Sequence, residues 1–230
     1  MQRFFVSSPL TIDLCINDPD ILHQVTRVMR SQSGDSIILF DGDGSETTYE
    51  IINITKKSLS LRGKDRKFPK VEPMKRITLY QALPNKIEKI EYILQKGVEV
   101  GIMKFIFFRS EYSQKLLLSE AKKLRFSAII REAVEQCGGL SLPELHFLDM
   151  TDFPRGDTLH MTLDTTGRVT KISELPFSEH ISIWIGPEGG WSDEEREKMN
   201  NNGFLFVRLW ERILRTETAG VVTAFALLHA

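Results

Sequence analysis

The chain has 230 residues, a formal net charge of −1, and 41% hydrophobic and 27% charged side chains, the make-up of a globular protein long enough for one large domain or two small ones. No apolar run reaches the roughly 18 residues of a membrane helix, and the first 16 residues break their apolar run at Ser7, Ser8, Pro9 and Asp13, so they make a poor signal peptide. Cys15 and Cys137 form no CxxC pair and the five histidines lack ligand spacing, which points to a reduced, cytoplasmic protein with no metal and no membrane partner.

In chain order, RFFV, TIDLCI, DSIILFD, TYEIINI and SLSLRG read as short strands separated by turn signals such as Asp41-Gly42-Asp43-Gly44. One helix interrupts them, capped at Asp18-Pro19 and running into ILHQVTRVM. Residues 1–72 are expected to form a small, partly open β-barrel. Its last part is basic: residues 56–76 hold nine Lys or Arg against Asp65 and Glu72. Such a run reads either as a solvated strand and linker or as a surface for nucleic-acid phosphates.

After Pro69 to Pro73 the rhythm changes. RITLYQAL, KFIFF, ELHFL, LHMTLD, ISIWI and FLFVRL read as strands, with helical segments between several of them, such as KIEKIEYILQKGVEV. Residues 73–230 are therefore expected to form an α/β domain with a mostly parallel sheet. The final helix, TAGVVTAFALLHA, is apolar nearly all round and needs cover on every side.

Two stretches carry the chemistry. ISIWIGPEGGWSDEE is a buried strand, a glycine turn and a helix start with a capping box from Ser192 and Glu195. Neither GxxxxGK[ST] nor GxGxxG occurs, and Glu188, Asp193, Glu194 and Glu195 place negative charge where a phosphate would sit, which favours a neutral or cationic ligand over a phosphate. RLWERILRTETAG crowds Arg212, Arg215, Thr216, Glu217 and Thr218 between a strand and an apolar helix. Loops at the carboxyl ends of neighbouring parallel strands converge on one crevice, so both stretches are expected to face one ligand, with MTLDTTG at 161–167 as a third wall.

GPEGGWSDEE followed by RILRTETA resembles the signature of the RsmE family, the small-subunit ribosomal RNA uridine-N3 methyltransferases of the SPOUT superfamily. Nearly the whole chain is similar: QRFFV and HQVTRVMRSQSGDSIILFDGDG resemble the family's PUA-like barrel, and KIEKIEYILQKGVEVGI and IIREAVEQCGG its first helices. Two positions depart from the pattern: Gly139, where an arginine commonly stands, and Trp210, where the preceding strand commonly ends in Leu-Gly. The resemblance implies a PUA-like barrel joined to an α/β-knot domain with a deep carboxyl-terminal trefoil knot. It also implies S-adenosylmethionine as cofactor, held by Leu163, Asp164, Ile185, Gly186, Pro187, Gly189, Leu209, Ile213, Leu214 and Thr216.

The implied reaction is methylation of N3 of a uridine in 16S ribosomal RNA, on free RNA or the small subunit, by a homodimer. Arg215 and then Arg212 are the candidates to stabilise the developing uridine anion. Glu188 or Glu217 either accepts the N3 proton or orients an arginine. RNA phosphates are assigned to Arg3, Arg27, Arg30, Lys64, Arg66 and Lys67. Cys137 reads as a small turn residue and His23 as a surface or packing residue. The alternatives are a SPOUT methyltransferase acting on another RNA or atom, and a non-catalytic RNA-binding assembly factor.

Overall fold

Alternation of apolar and polar side chains in the first part of the chain yields five strands: β1 (Arg3–Phe5), β2 (Asp13–Ile16), β3 (Ser36–Phe40), β4 (Glu46–Ile54) and β5 (Leu59–Lys67). The structure, a computed structural model, describes residues 2–149, 152–155, 158–164 and 169–229. It divides into two compact units, Met1–Glu72 with Val134–Leu142, and Pro73–Ala133 with Pro143–Ala230.

In the first unit the strand order is β1-β3-β4-β5-β2, with β1 parallel to β3 and the other pairs antiparallel. Register shifts at Thr48/Tyr49 and Ile51/Asn53 interrupt the long β4–β5 ladder, and such shifts bend a sheet toward closure. Val25, Ile37, Leu39, Ile51 and Leu59 fill the core. Tyr49 is buried with them and donates its hydroxyl to the Thr11 carbonyl at 2.6 Å.

Asp18 caps helix α1 (Pro19–His23), its carboxylate accepting from the amides of Asp20 and Ile21. The expected α-helix stops there, and residues Gln24–Val28 continue as a π-helical turn. The Thr26 hydroxyl donates to the Leu22 carbonyl at 2.7 Å, and the Met29 amide reaches back to Gln24 rather than Val25. A threonine hydroxyl that occupies the i−4 carbonyl competes with the helix ladder and loosens it locally.

The second unit is a seven-stranded, wholly parallel sheet in the order β10-β12-β9-β11-β6-β7-β8. Its strands are β6 (Arg76–Ala82), β7 (Lys104–Phe108), β8 (Glu144–Leu148), β9 (Leu159–Leu163), β10 (Thr170–Lys171), β11 (His180–Ile185) and β12 (Leu205–Arg208). Strands covered on both faces read as near-continuous apolar runs, and β11 is buried from Ile181 to Ile185. Helices α2 (Ile87–Val100), α3 (Glu120–Cys137), α4 (Asp193–Asn201) and α5 (Thr216–Leu228) complete the chain, the last turn of α3 grouping with the first unit.

Trp184 is fully buried, stacked on Tyr80 with ring centroids 3.9 Å apart. Helix α5 approaches the sheet at Gly220, where a Cβ would lie 2.9 Å from a Leu79 methyl. Only glycine permits that approach. Beyond it, Val222 remains 39% and Phe225 55% exposed, so the sheet leaves part of this apolar helix uncovered.

Candidate active site

At the end of β11 the chain turns through Gly186-Pro187-Glu188-Gly189-Gly190. Ser192 then opens α4 with the expected capping box: its hydroxyl accepts from the Glu195 amide at 3.2 Å, and the Glu195 carboxylate accepts from the Ser192 amide at 2.9 Å. The other Glu195 oxygen accepts from the Ser110 hydroxyl at 2.7 Å and the Glu111 amide at 3.1 Å, tying the loop after β7 to the same corner. A Cβ on Gly186 would lie 3.2 Å from the Trp191 ring, and one on Gly189 would lie 3.1 Å from Tyr112 Cβ. Glycine at these positions keeps the backbone bare.

The segment after β12, Leu209 to Arg215, runs beside this turn. Thr216 joins the two: its hydroxyl donates to the Gly186 carbonyl at 2.8 Å and accepts from Gln81 Nε2 at 2.8 Å. Strand β11 lies between β6 and β9, where the chain passes from one half of the sheet to the other. That is the position at which parallel α/β sheets bind ligands.

These segments enclose a cavity of about 640 Å³, within the usual range of small-molecule sites. Every cofactor candidate lines it: Leu163, Asp164, Ile185, Gly186, Pro187, Gly189, Leu209, Ile213, Leu214 and Thr216. So do Glu188, Arg212, Arg215 and Glu217. Of MTLDTTG, residues 165–167 lie outside the described residues. Trp210, one of the departures from the family pattern, lines the cavity but is 58% exposed, so its ring occupies the rim.

The acidic run does not surround the ligand position as its sequence spacing suggested. Of Glu188, Asp193, Glu194 and Glu195, only Glu188 lines the cavity. Asp193 faces Arg196 at 3.2 Å, Glu194 pairs with Lys198 at 2.8 Å, and Glu195 is consumed by the cap and the Ser110 loop. Against Asp164, Glu188 and Glu217 the lining holds Lys89, Arg196, Arg208, Arg212 and Arg215. Residues adjacent in sequence at a helix start diverge by about 100° each, so the run of acids does not act as one patch.

Within the lining the charges are sorted. Asp164 is bound by Arg196 at 2.8 Å, and Arg208 lies 3.4 Å from Glu211. Lys89 meets both Glu188, at 2.8 Å, and Glu217, at 3.4 Å. Glu188 is stabilised as a carboxylate: burial works against the charge, but the Lys89 ammonium and the Asn85 amide outweigh it and draw its pKa down. Arg212 and Arg215 are exposed and make no ion pair with the described residues. Lys89, Arg196 and Trp191 escaped the sequence reading. Only Lys89 carries a signal, its place in the first turn of the helix that follows β6.

The first unit holds the candidate RNA contacts. Arg3 is largely enclosed, bonded to Glu46 and the Gly139 carbonyl at 3.0 Å each and lying 4.9 Å over the Phe40 ring. Lys64 pairs with Glu50 at 2.5 Å, Arg66 with Asp43, and Lys67 with Asp65 at 3.3 Å. Arg30 is exposed, in a left-handed backbone conformation with φ 57°. Arg27 lines a groove of about 1290 Å³ with His23, Lys56 and Lys57, and no carboxylate appears in that lining.

A cavity over a bare glycine turn at the crossover of a parallel sheet is the position of a small-molecule site, and the same chain carries a small mixed β-unit. The family model described as an RNA methyltransferase domain matches residues 70–228, and that of an RNA methyltransferase PUA domain matches residues 16–62. The chain is 30% identical to the ribosomal RNA small subunit methyltransferase E of Bacillus subtilis over 255 aligned positions, covering 100% of this chain and 96% of that protein. It is 30% identical to the protein of the same name from Buchnera aphidicola subsp. Acyrthosiphon pisum, covering 89% and 83%. Among solved structures, the small subunit methyltransferase E of Neisseria gonorrhoeae bound to S-adenosyl methionine superposes with a TM-score of 0.88 at 27% identity, covering 99% of this chain and 96% of that one. A putative methyltransferase of Legionella pneumophila in complex with the same cofactor gives 0.85 at 30% identity, covering 98% and 96%. The chain belongs to the ribosomal RNA small subunit methyltransferase E family.

Proposed function

We propose that this protein transfers a methyl group from S-adenosylmethionine to N3 of a specific uridine in 16S ribosomal RNA. The observation that carries the reading is the meeting of the bare Gly186–Gly190 turn with Arg212 and Arg215 in one cavity, locked by the Thr216–Gly186 hydrogen bond. The cavity fits the cofactor. Its volume suits a ligand of that size, the glycine backbone is open to adenine and ribose, and the Trp191 indole N–H is buried there without a partner among the described residues. When bound, S-adenosylmethionine supplies an electrophilic methyl group on a sulfonium.

The chain's own residues do the rest. Leu163, Ile185, Leu209 and Leu214 hold the apolar parts of the cofactor, with Ile213, 81% exposed, at the rim, while Thr216 fixes the loop that cradles it. Arg215, helped by Arg212, supplies positive charge where the uridine carbonyl oxygens gain negative charge as N3 loses its proton. In-line transfer from a sulfonium needs no metal, and positioning supplies most of the acceleration.

The RNA strand crosses the groove lined by His23, Arg27, Lys56 and Lys57. Lys64, Arg66 and Lys67 are already neutralised by carboxylates, and such pairs must be exchanged before they can contact phosphate. The protein works in the cytoplasm as a homodimer covering the exposed side of α5, with the knot implied by the family. Nucleoside analysis of 16S ribosomal RNA from cells with and without the gene tests the reading. Loss of 3-methyluridine and its restoration by purified protein with S-adenosylmethionine are expected; an unchanged nucleoside profile sinks it.

A further inference from the structure

The three tryptophans of the chain have two fates. Trp184 and Trp191 are buried in one cluster with Phe108, Phe204 and Met199. Trp210 is 58% exposed in the segment after β12. Its indole makes no ring contact, cation–π contact or hydrogen bond among the described residues. A single exposed apolar side chain is ordinary on a protein surface. Trp210 differs in its place, because it lines the same cavity as the glycine turn, Arg212 and Arg215.

That cavity is graded from floor to mouth. Ile185, Pro187, Trp191, Val207 and Ala219 in its lining are buried, whereas Trp210, Arg212, Ile213 and Arg215 are exposed. The floor is where a small cofactor is enclosed. The mouth is what a polymer arriving from solvent meets first, and it offers one flat π-surface beside two guanidinium groups that make no ion pair with the described residues. Unpaired bases stack on aromatic faces while cationic side chains follow the phosphates, so this combination suits a single strand. A base inside a duplex has both faces covered by its neighbours and cannot use it.

We infer that the Trp210 indole is a stacking platform for an unpaired base of the substrate RNA and steadies the strand at the mouth of the cofactor cavity. The inference rests on the proposed function for the nature of the RNA. Stacking occupies the face of a base and leaves its pairing edge, which carries N3, open to the methyl donor. The contact is apolar and neutralises no phosphate, so it differs in kind from the contacts assigned to the His23, Arg27, Lys56 and Lys57 groove.

The test uses the full chain, Trp210→Ala and Trp210→Phe, with oligouridylate as the RNA probe. Because Trp184 and Trp191 are buried, the indole emission that acrylamide quenches belongs to Trp210, and its absence from Trp210→Phe assigns it. Oligouridylate is expected to quench that emission and shield it from acrylamide, and S-adenosylmethionine alone to do neither. In anisotropy titrations Trp210→Ala weakens oligouridylate binding by about 5- to 150-fold, the worth of one stacked base. The log–log salt slope stays unchanged, since no phosphate contact is lost. Trp210→Phe regains most of the affinity, and the calorimetric Kd for S-adenosylmethionine stays within a few fold in both variants. Should Trp210→Ala fail to fold, Trp210→Leu, apolar but without a π-face, makes the same comparison. An oligouridylate affinity indifferent to Trp210 overturns the inference. So does emission that responds to the cofactor alone with a matching loss of cofactor affinity, which gives the indole to the adenine instead. Absence of 3-methyluridine formation by a parent that binds and shields normally overturns the proposed function and leaves the stacking platform standing.

Discussion

The hydroxyl of Thr216 donates a 2.8 Å hydrogen bond to the carbonyl of Gly186, thirty residues upstream, and accepts one from the buried amide of Gln81. One side chain thereby connects the carboxyl end of β6, the glycine turn after β11 and the start of α5. Replacement by valine keeps the shape and removes all of this. Thr216→Val should cost about 1–3 kcal/mol, because partners are left without hydrogen bonds in a buried place, and should weaken S-adenosylmethionine binding at least tenfold. Denaturant titration and calorimetry check the two effects. Parent-like cofactor affinity would mean that the link supports the fold alone.

Arg215 lies in the cavity wall with no ion pair among the described residues, and its charge is assigned to the transition state. Arg215→Ala should lower kcat about 100-fold or more while leaving the cofactor Kd within a few fold, the pattern of an interaction realised during reaction rather than binding. Equal losses in both quantities would assign the side chain to cofactor binding.

In the first unit, the groove lysines and the strand lysines should behave differently. Lys56→Ala with Lys57→Ala should reduce the log–log salt dependence of RNA binding by about 0.7 to 0.9 for each phosphate that is no longer neutralised. The triple change of Lys64, Arg66 and Lys67 to alanine should alter it less, since each already faces Glu50, Asp43 or Asp65. A larger effect from the triple variant would place the RNA along β5.

Val222 and Phe225 leave an apolar strip exposed along α5. In a homodimer built on that strip, Val222→Glu should produce monomers and lose activity together, because a buried unpaired charge is costly. Sedimentation velocity across a concentration series, with turnover measured on the same samples, decides it. A fully active monomer at every concentration would show that the strip tolerates solvent.

His160 is buried in β9, and burial lowers its pKa. Its Nδ1 lies 2.5 Å from the Ser182 hydroxyl, which itself accepts from the Trp184 indole N–H at 3.0 Å. The hydroxyl proton is therefore directed to a neutral His160. Because the folded pKa lies below the unfolded one, the unfolded chain binds more protons between the two values, and stability must fall as pH drops below about 6.5. Urea midpoints between pH 5.5 and 7.5 should show that slope, and His160→Asn should flatten it. An equal slope in the variant would assign the pH dependence elsewhere.

Local pattern was enough for the two-part build, the parallel sheet after residue 73, the capping box at Ser192 and Glu195, and the pairing of GPEGG with RILRTET in one crevice. Each of these depends on spacing along the chain: alternation for strands, a turn signal, a cap three residues from its partner, and the convergence of loops at one edge of a parallel sheet. What depends on three-dimensional neighbours was closed to that reading. The acids after Gly190 scatter around a helix end, and Lys64, Arg66 and Lys67 face carboxylates on β4, the β3–β4 turn and β5 itself. Thr26 turns a plain helical pattern into a π-helical turn through one side-chain hydrogen bond. Lys89, about one hundred residues from Glu188, reaches the site only because β6 and β11 are neighbours in the sheet. A charge is legible in sequence, but its partner is chosen by tertiary packing, and the partner decides whether that charge anchors a loop, faces RNA or receives a proton.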